Sequence, residues 1–261
     1  MRVTVFGLGE AGSLIASDLA NAGAEVHGYD PADVVTPDGV SRHAEPSPAM
    51  KGSTLILAVT AASDALRALT QASDEMRPGT VYADLSTARP DLKEDLADTA
   101  ALRGLLFADV ALMAPVPGKG LTTPALASGP GAEGYGKVIG PLGGEVEVIS
   151  DRPGDAAARK LLRSVTTKGL TAVLMESLEA AEARGDAEWL WTHLVEFITA
   201  ADEGMVRRLI ESTPRHIDRR IVEMESALAF LESLNVDPTM TGSTVEMLRR
   251  VKEEGDRRSR G

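Results

Sequence analysis

The chain contains no cysteine, which excludes a disulfide framework and any thiolate metal site. Histidine is nearly as scarce. His27, His43, His193 and His216 are scattered, with no helical pair at metal-ligand spacing. No apolar run approaches the ~20 residues that a membrane-spanning helix needs, so no membrane partner is expected. A cationic surplus is also missing. The formal net charge is −12, and affinity for a phosphate backbone rests on clustered Lys and Arg, so nucleic acid is not expected either. The opening "MRVTVFGLGEAGS" reads directly as a strand, without the cleavage region of a secretory leader, and the expectation is a cytoplasmic protein.

What is present is the composition of a globular chain, 43% hydrophobic and 25% charged over 261 residues, enough for one large domain or two smaller ones. Short, apolar, partly β-branched segments occur at 2–6, 25–29, 53–59, 80–84 and 105–112, with later strands expected at 125–128 and 145–149. Helical periodicity lies between them near 11–22, 62–72 and 91–102. This alternation predicts right-handed βαβ crossovers and a largely parallel sheet covered on both faces. After residue 150 the strand signals stop. A helix over about 154–184 ends before Gly185, and further helices are expected at 187–199, 202–211, 215–235 and 239–254. Pro214 and Pro238 mark helix starts, and the charged tail after 254 is expected to fray. The prediction is a Rossmann-type α/β domain over 1–150 and an all-helical domain over 151–261, entered through an inter-domain helix at 151–185.

The segment "VFGLGEAGS" places Gly7, Gly9 and Gly12 in a G-x-G-x-x-G pattern, directly after a strand and opening a helix. Gly7 permits the tight turn, Gly9 lets a pyrophosphate approach the backbone, and Gly12 lets helix and strand pack closely. Leu8, Glu10 and Ala11 complete the turn, whose unpaired amides would meet the phosphates. Asp30 ends the second strand, where a carboxylate accepts hydrogen bonds from both ribose hydroxyls and repels a 2′-phosphate. NAD is therefore favoured over NADP, although Arg42 lies close enough in sequence to admit the latter. Val59, Thr60, Ser86 and Thr87 follow strand C-termini, which line the ligand crevice of such a sheet. For Thr87, and more so for Ser63, capping of the following helix is an alternative role.

"GLGEAGS", "DLST", "DVALMAPVPGKG" and "GDAAARKLLRS" occur in the order and at the spacing of the β-hydroxyacid dehydrogenase superfamily. This group includes 3-hydroxyisobutyrate and 6-phosphogluconate dehydrogenases, and the chain resembles it over nearly its whole length. "TPRHIDRRIVEMESAL" resembles a subgroup with a poorly characterised helical domain. The resemblance implies a nicotinamide-dependent hydride transfer in which an inter-domain lysine, here Lys160, acts as general acid or base, and Glu176 matches a glutamate further along that helix. Two segments depart from the family pattern. Its D-A-P-V-S-G-G loop is "MAPVPGKG" here, with Pro117 for serine, Gly118 retained and Lys119 for the second glycine. The asparagine four residues after its lysine is Ser164.

On a helix Lys160, Ser164 and Lys168 share a broad polar face with Thr167 beside them. A free lysine titrates near ~10.4, too high for proton exchange at neutral pH, and partial burial or a second cation would lower it. Lys168, beside Gly169, and Arg163 are second-tier candidates for an anionic substrate. Gly169 itself is expected to mark a closely packed neighbour. His216, Arg219 and Glu223 fall on one helical face, where His216 and Arg219 form either a cationic substrate surface or, with Glu223 and Arg220, a salt-bridged exterior.

The sequence thus predicts an NAD- or NADP-dependent dehydrogenase of a small, anionic hydroxy acid or related carbonyl compound, dimeric through its helical domain. Three alternatives remain: an imine reductase of the same fold, which usually lacks that lysine; a decarboxylating sugar-acid dehydrogenase, whose long sugar-phosphate segments are not evident; and a dinucleotide sensor without turnover. A short-chain dehydrogenase is not expected, because the residues four after Tyr29, Tyr82 and Tyr135 are Asp33, Ser86 and Ile139 rather than lysine.

Overall fold

A computed structural model describes residues 1–73 and 76–260. Eight strands form one sheet: β1 (Arg2–Phe6), β2 (Glu25–Tyr29), β3 (Val40–His43), β4 (Leu55–Ala58), β5 (Val81–Asp84), β6 (Leu106–Leu112), β7 (Ala125–Ser128) and β8 (Val146–Ser150), in the order β3-β2-β1-β4-β5-β6-β7-β8. The first six run parallel in the doubly wound order 3-2-1-4-5-6. β7 pairs antiparallel with β6, and β8 is parallel to β7, so the last two strands reverse direction.

Side chains alternate across the sheet as a strand's two-residue period requires. In β4, Leu55 and Leu57 join one core with Ile15, Leu19 and Tyr135, while Ile56 and Ala58 join another with Met50, Leu69 and Leu96. Helices α1 (Glu10–Asn21) and α5 (Ala132–Ile139) supply the first core; α2 (Pro46–Met50), α3 (Ala65–Ser73) and α4 (Pro90–Ala101) supply the second. Both faces are covered, which is why the central strands read as continuous apolar runs.

The helical portion contains α6 (Asp155–Arg184), α7 (Ala187–Thr199), α8 (Glu203–Ser212), α9 (Ile217–Ser233) and α10 (Thr239–Arg260). The chain divides into two compact units, Met1–Arg163 and Ser164–Gly261, so α6 contributes its first nine residues to the first unit and the rest to the second. The second unit has a small core of Ala180, Leu231 and Val236. Glu176 is buried there and caps α10, accepting the Met240 amide at 2.6 Å, the Thr241 amide at 2.9 Å and the Thr241 hydroxyl at 2.6 Å.

Several elements differ from the sequence expectation. β3, α2 and α5 are additional. α10 does not fray at 254 but continues to Arg260, because its Lys, Glu and Arg residues have high helix propensity. Gly169 has nothing within 4 Å of where a Cβ would stand; close packing within this chain does not explain it.

Candidate functional site

The C-terminal ends of β1, β2, β4 and β5 open on one edge of the sheet, with β1 at the point where strand order reverses. At that edge Gly7 adopts φ 98° and a Cβ there would lie 2.3 Å from the Val59 carbonyl oxygen. A Cβ on Gly12 would lie 1.9 Å from the Gly7 oxygen, so α1 packs against the turn as the spacing predicts. Gly9 is different: a Cβ there meets nothing within 4 Å. The open side of the turn is therefore free for a ligand. Gly9 precedes α1 with no side-chain cap, leaving first-turn amides directed outward beside Glu10 and Ala11. The Leu8 side chain is buried in the core.

Asp30 fastens this turn. Its Oδ2 accepts the Leu8 amide at 2.7 Å and its Oδ1 accepts the Ala32 amide at 2.8 Å. Each oxygen keeps acceptor capacity for a further hydrogen bond. Arg42, the residue that could have admitted NADP, is engaged elsewhere. It donates to the Val34 carbonyl and, at 2.6 Å, to the Ala32 carbonyl, and lies 3.9 Å from Asp33.

A cavity at this edge is lined by Gly7, Gly9, Asp30, Val59, Thr60 and Arg67, so it gathers three parts of the sequence expectation. Arg67, from α3, had no motif to announce it; it pairs with Asp64 at 2.7 Å. The buried Thr60 hydroxyl has no partner among the described residues. An open glycine turn, a two-armed carboxylate and an unpaired hydroxyl in one crevice fit a dinucleotide.

Ser86 and Thr87 part company. Ser86 is buried and donates to Asp84 Oδ1 at 2.5 Å, so it faces into the fold, while Thr87 is exposed. Neither caps α4, which starts after Arg89 with Pro90 at its first position, and Ser63 lies inside the 62–64 turn rather than before it. The capping alternative for Thr87 is thereby removed.

Pro117, Gly118 and Lys119 form an exposed turn, with Gly118 at φ 81°. Asp18 of α1 holds its far end by accepting the Leu121 amide at 2.8 Å. On α6, Lys160, Ser164 and Thr167 are half-buried and Lys168 is exposed. His216 is exposed at the start of α9, and Arg219 pairs with Glu223 at 3.4 Å with both side chains mostly exposed. Arg220 turns to Ser212 at 3.0 Å. That arrangement is the salt-bridged exterior. Among the described residues no group of three or more His, Asp or Glu is placed to hold a metal, and no helix is long and apolar enough to cross a membrane.

Residues 2–121 match the family model for the NAD-binding domain of 6-phosphogluconate dehydrogenase. Residues 181–251 match a domain of unknown function, DUF1932. The first unit thus carries a 6-phosphogluconate dehydrogenase-type NAD-binding domain, and the cofactor class is a nicotinamide dinucleotide. Over 122 residues the chain is 31% identical to an uncharacterised 28.5 kDa protein of Methanothermus fervidus. That match covers 45% of this chain and 47% of the relative, about half the length of each. A conserved protein of unknown function, described as structurally similar to 3-hydroxyacid dehydrogenases, is 28% identical with TM-score 0.63 and 97% of each chain covered. A variant imine reductase of Myxococcus stipitatus in complex with NAD+ has TM-score 0.82 at 19% identity, covering 97% of this chain and 94% of its own. At that identity the likeness shows the shared fold.

Proposed function

We propose that the protein transfers a hydride between a nicotinamide dinucleotide, preferentially NAD, and a small anionic hydroxy acid or related carbonyl compound. The observation that carries this reading is the glycine turn fastened by Asp30 inside a matched NAD-binding domain. The preference for NAD is supported by the Asp30 carboxylate, which would repel a 2′-phosphate, and by the nearby Arg42, which is committed to carbonyls.

When bound, the nicotinamide supplies or receives the hydride. The chain's part is to hold the dinucleotide through Gly7–Gly12, Asp30, Val59 and Thr60, with Thr87 exposed nearby, and to handle the proton. In reduction Lys160 Nζ gives a proton to the carbonyl oxygen; in oxidation it takes one from the hydroxyl. Its half-buried position in the second turn of α6 supports that role. Ser164, Lys168 and the Pro117–Lys119 turn are the remaining substrate-side candidates, and His216 and Arg219 are supported less, given their exposed surroundings.

Imine reduction is the second reading, favoured by the closeness of fold to imine reductases. Retention of Lys160 favours the first. The second unit leaves Val165, Met175 and Trp189 exposed by 74%, 67% and 66%. Faces this apolar support a homodimer formed through the helical unit. The deciding experiment follows NADH absorbance with a panel of aldehyde acids, keto acids and cyclic imines, using the native chain and Lys160→Ala. The expected result is turnover of a carbonyl acid that falls by about a hundredfold or more in Lys160→Ala while cofactor binding persists. Undiminished turnover in the variant would remove Lys160 from the chemistry, and turnover confined to imines would select the second reading.

A further inference from the structure

Three ionisable side chains, from β5, β6 and α4, are buried together. Asp84, at the end of β5, and Asp109, in β6, stand directly opposite each other in register. Ser128 of β7 stands opposite Asp109, so the three form a row across adjacent strands. Asp84, Lys93 and Asp109 are all 0% exposed. Two carboxylates side by side on a sheet repel one another, and burying an ion without a partner costs several kcal/mol. Lys93 of α4 makes the row tolerable. Its ammonium lies 2.6 Å from Asp84 Oδ1 and 3.1 Å from Asp109 Oδ1, and it donates to the Asp84 carbonyl at 3.0 Å.

The other half of Asp109 faces elsewhere. Its Oδ2 accepts the Ala157 amide at 2.9 Å and the Ser128 hydroxyl at 3.2 Å, and Ser128 Oγ in turn accepts the Ala156 amide at 3.1 Å. Ala156 and Ala157 are the second and third residues of α6. Their amides are among those a helix leaves unpaired at its start, and a carboxylate there also meets the positive end of the helix dipole. Lys160 follows Ala157 by three residues. At the other end of the row, Ser86 of the "DLST" turn donates to Asp84. One buried chain of contacts therefore runs from the turn beside the cofactor crevice to the first turn of the helix bearing Lys160.

We infer that Asp109, made buriable by Lys93, is a positioning residue that sets the place and surroundings of Lys160 by fixing the first turn of α6. This rests on the proposed role of Lys160 only for its catalytic consequence. The positioning itself is tested without turnover. Position 109 accepts hydrogen bonds from an amide and a hydroxyl at one oxygen and places the other beside the Lys93 ammonium. Aspartate meets both neighbours with oxygen, whereas asparagine has one oxygen and presents N–H groups to either the amide or the ammonium. Asp109→Asn also leaves Lys93 paired with Asp84.

The experiment compares the native full-length chain, Asp109→Asn and Ser128→Ala. It measures amide hydrogen exchange over 156–163, the pH midpoint of Lys160 acetylation by acetic anhydride read by mass spectrometry, and NAD+ binding. In Asp109→Asn the exchange is expected to quicken about tenfold and the Lys160 midpoint to move, with NAD+ affinity kept. Ser128→Ala is expected to give the same changes at smaller size, and it serves alone if Asp109→Asn does not fold. A lowered melting temperature with unchanged exchange over 156–163 and an unchanged Lys160 midpoint would overturn the inference, because only general stability would then be at stake. Loss of turnover in Lys160→Ala bears on the catalytic reading and leaves these readouts independent.

Discussion

Individual atoms decide the cofactor turn. Gly12→Ala would press a methyl into the Gly7 carbonyl at 1.9 Å, where backbone cannot yield cheaply. A loss of about 1–3 kcal/mol is expected in chemical denaturation, together with loss of dinucleotide binding. Gly9→Ala meets no atom, so its stability should be near native while pyrophosphate binding weakens. A second set of atoms governs pH dependence. His27 Nε2 donates to Glu25 at 2.9 Å, so its Nδ1 is the acceptor for His43 Nε2 at 2.7 Å and for Arg2 at 3.2 Å. Burial, then the charges of His27 and Arg2, holds His43 below its ordinary value. The hydrogen bond from His27 is the chief cause holding Glu25 below its own. Both signs agree. Above the unfolded histidine value of 6.5 His43 is neutral in either state and its contribution is complete. As pH falls below that, the unfolded chain takes up a proton that the folded chain refuses, and stability drops until the folded value is passed. Glu25 adds a further loss below 4.5. Melting temperatures should therefore decline from pH 7.5 to 5.5, with a shallower decline in His43→Gln; an equal slope in that variant would contradict the assignment.

Among the elements, the capping of α10 by Glu176 gives the sharpest expectation. Its carboxylate satisfies two helix-start amides and one hydroxyl from 64 and 65 residues away. Glu176→Ala should destabilise the helical unit by about 1–3 kcal/mol, with exchange rising first at the start of α10; protection unchanged there would show that the cap is dispensable. The same scale explains what could be read in advance. The central strands were legible because strands buried on both faces are continuous apolar runs, as in "LILA" of β4. β3, "VSRH", is a short edge strand with one aliphatic residue, and α5, "AEGYGKVI", carries two glycines that mask its helical period. The reversal of β7 and β8 leaves no mark in a single sequence, since direction follows from connection geometry. The glycine turn and Asp30 were visible because their spacing is itself the mechanism. Lys93 was not, because lysine in "PDLKEDLADTAA" reads as a solvated side chain. The signal that could have found it is its register: Lys93, Leu96, Ala97 and Ala100 form the buried stripe of α4.

For the molecule as a whole, the two units have unlike economies. The first buries both faces of its sheet. The second has a core of few residues and leaves Trp189, Trp191 and Ile210 more than half exposed. The proposed dimer of a chain of net charge −12 would form through apolar contact on such a surface, since overall self-repulsion opposes it. Light scattering should give twice the 27.4 kDa chain mass, and replacing Trp189 and Met175 by glutamate should yield monomers; a native monomer would refute the proposed dimer. The catalytic account stands or falls earlier, on whether the crevice takes a dinucleotide at all. Calorimetric titration of the full chain with NAD+ and with NADP+ tests this directly. The account predicts one saturable site per chain, tighter for NAD+, and weakened about tenfold to a hundredfold in Asp30→Ala. Absence of binding by either dinucleotide would contradict it.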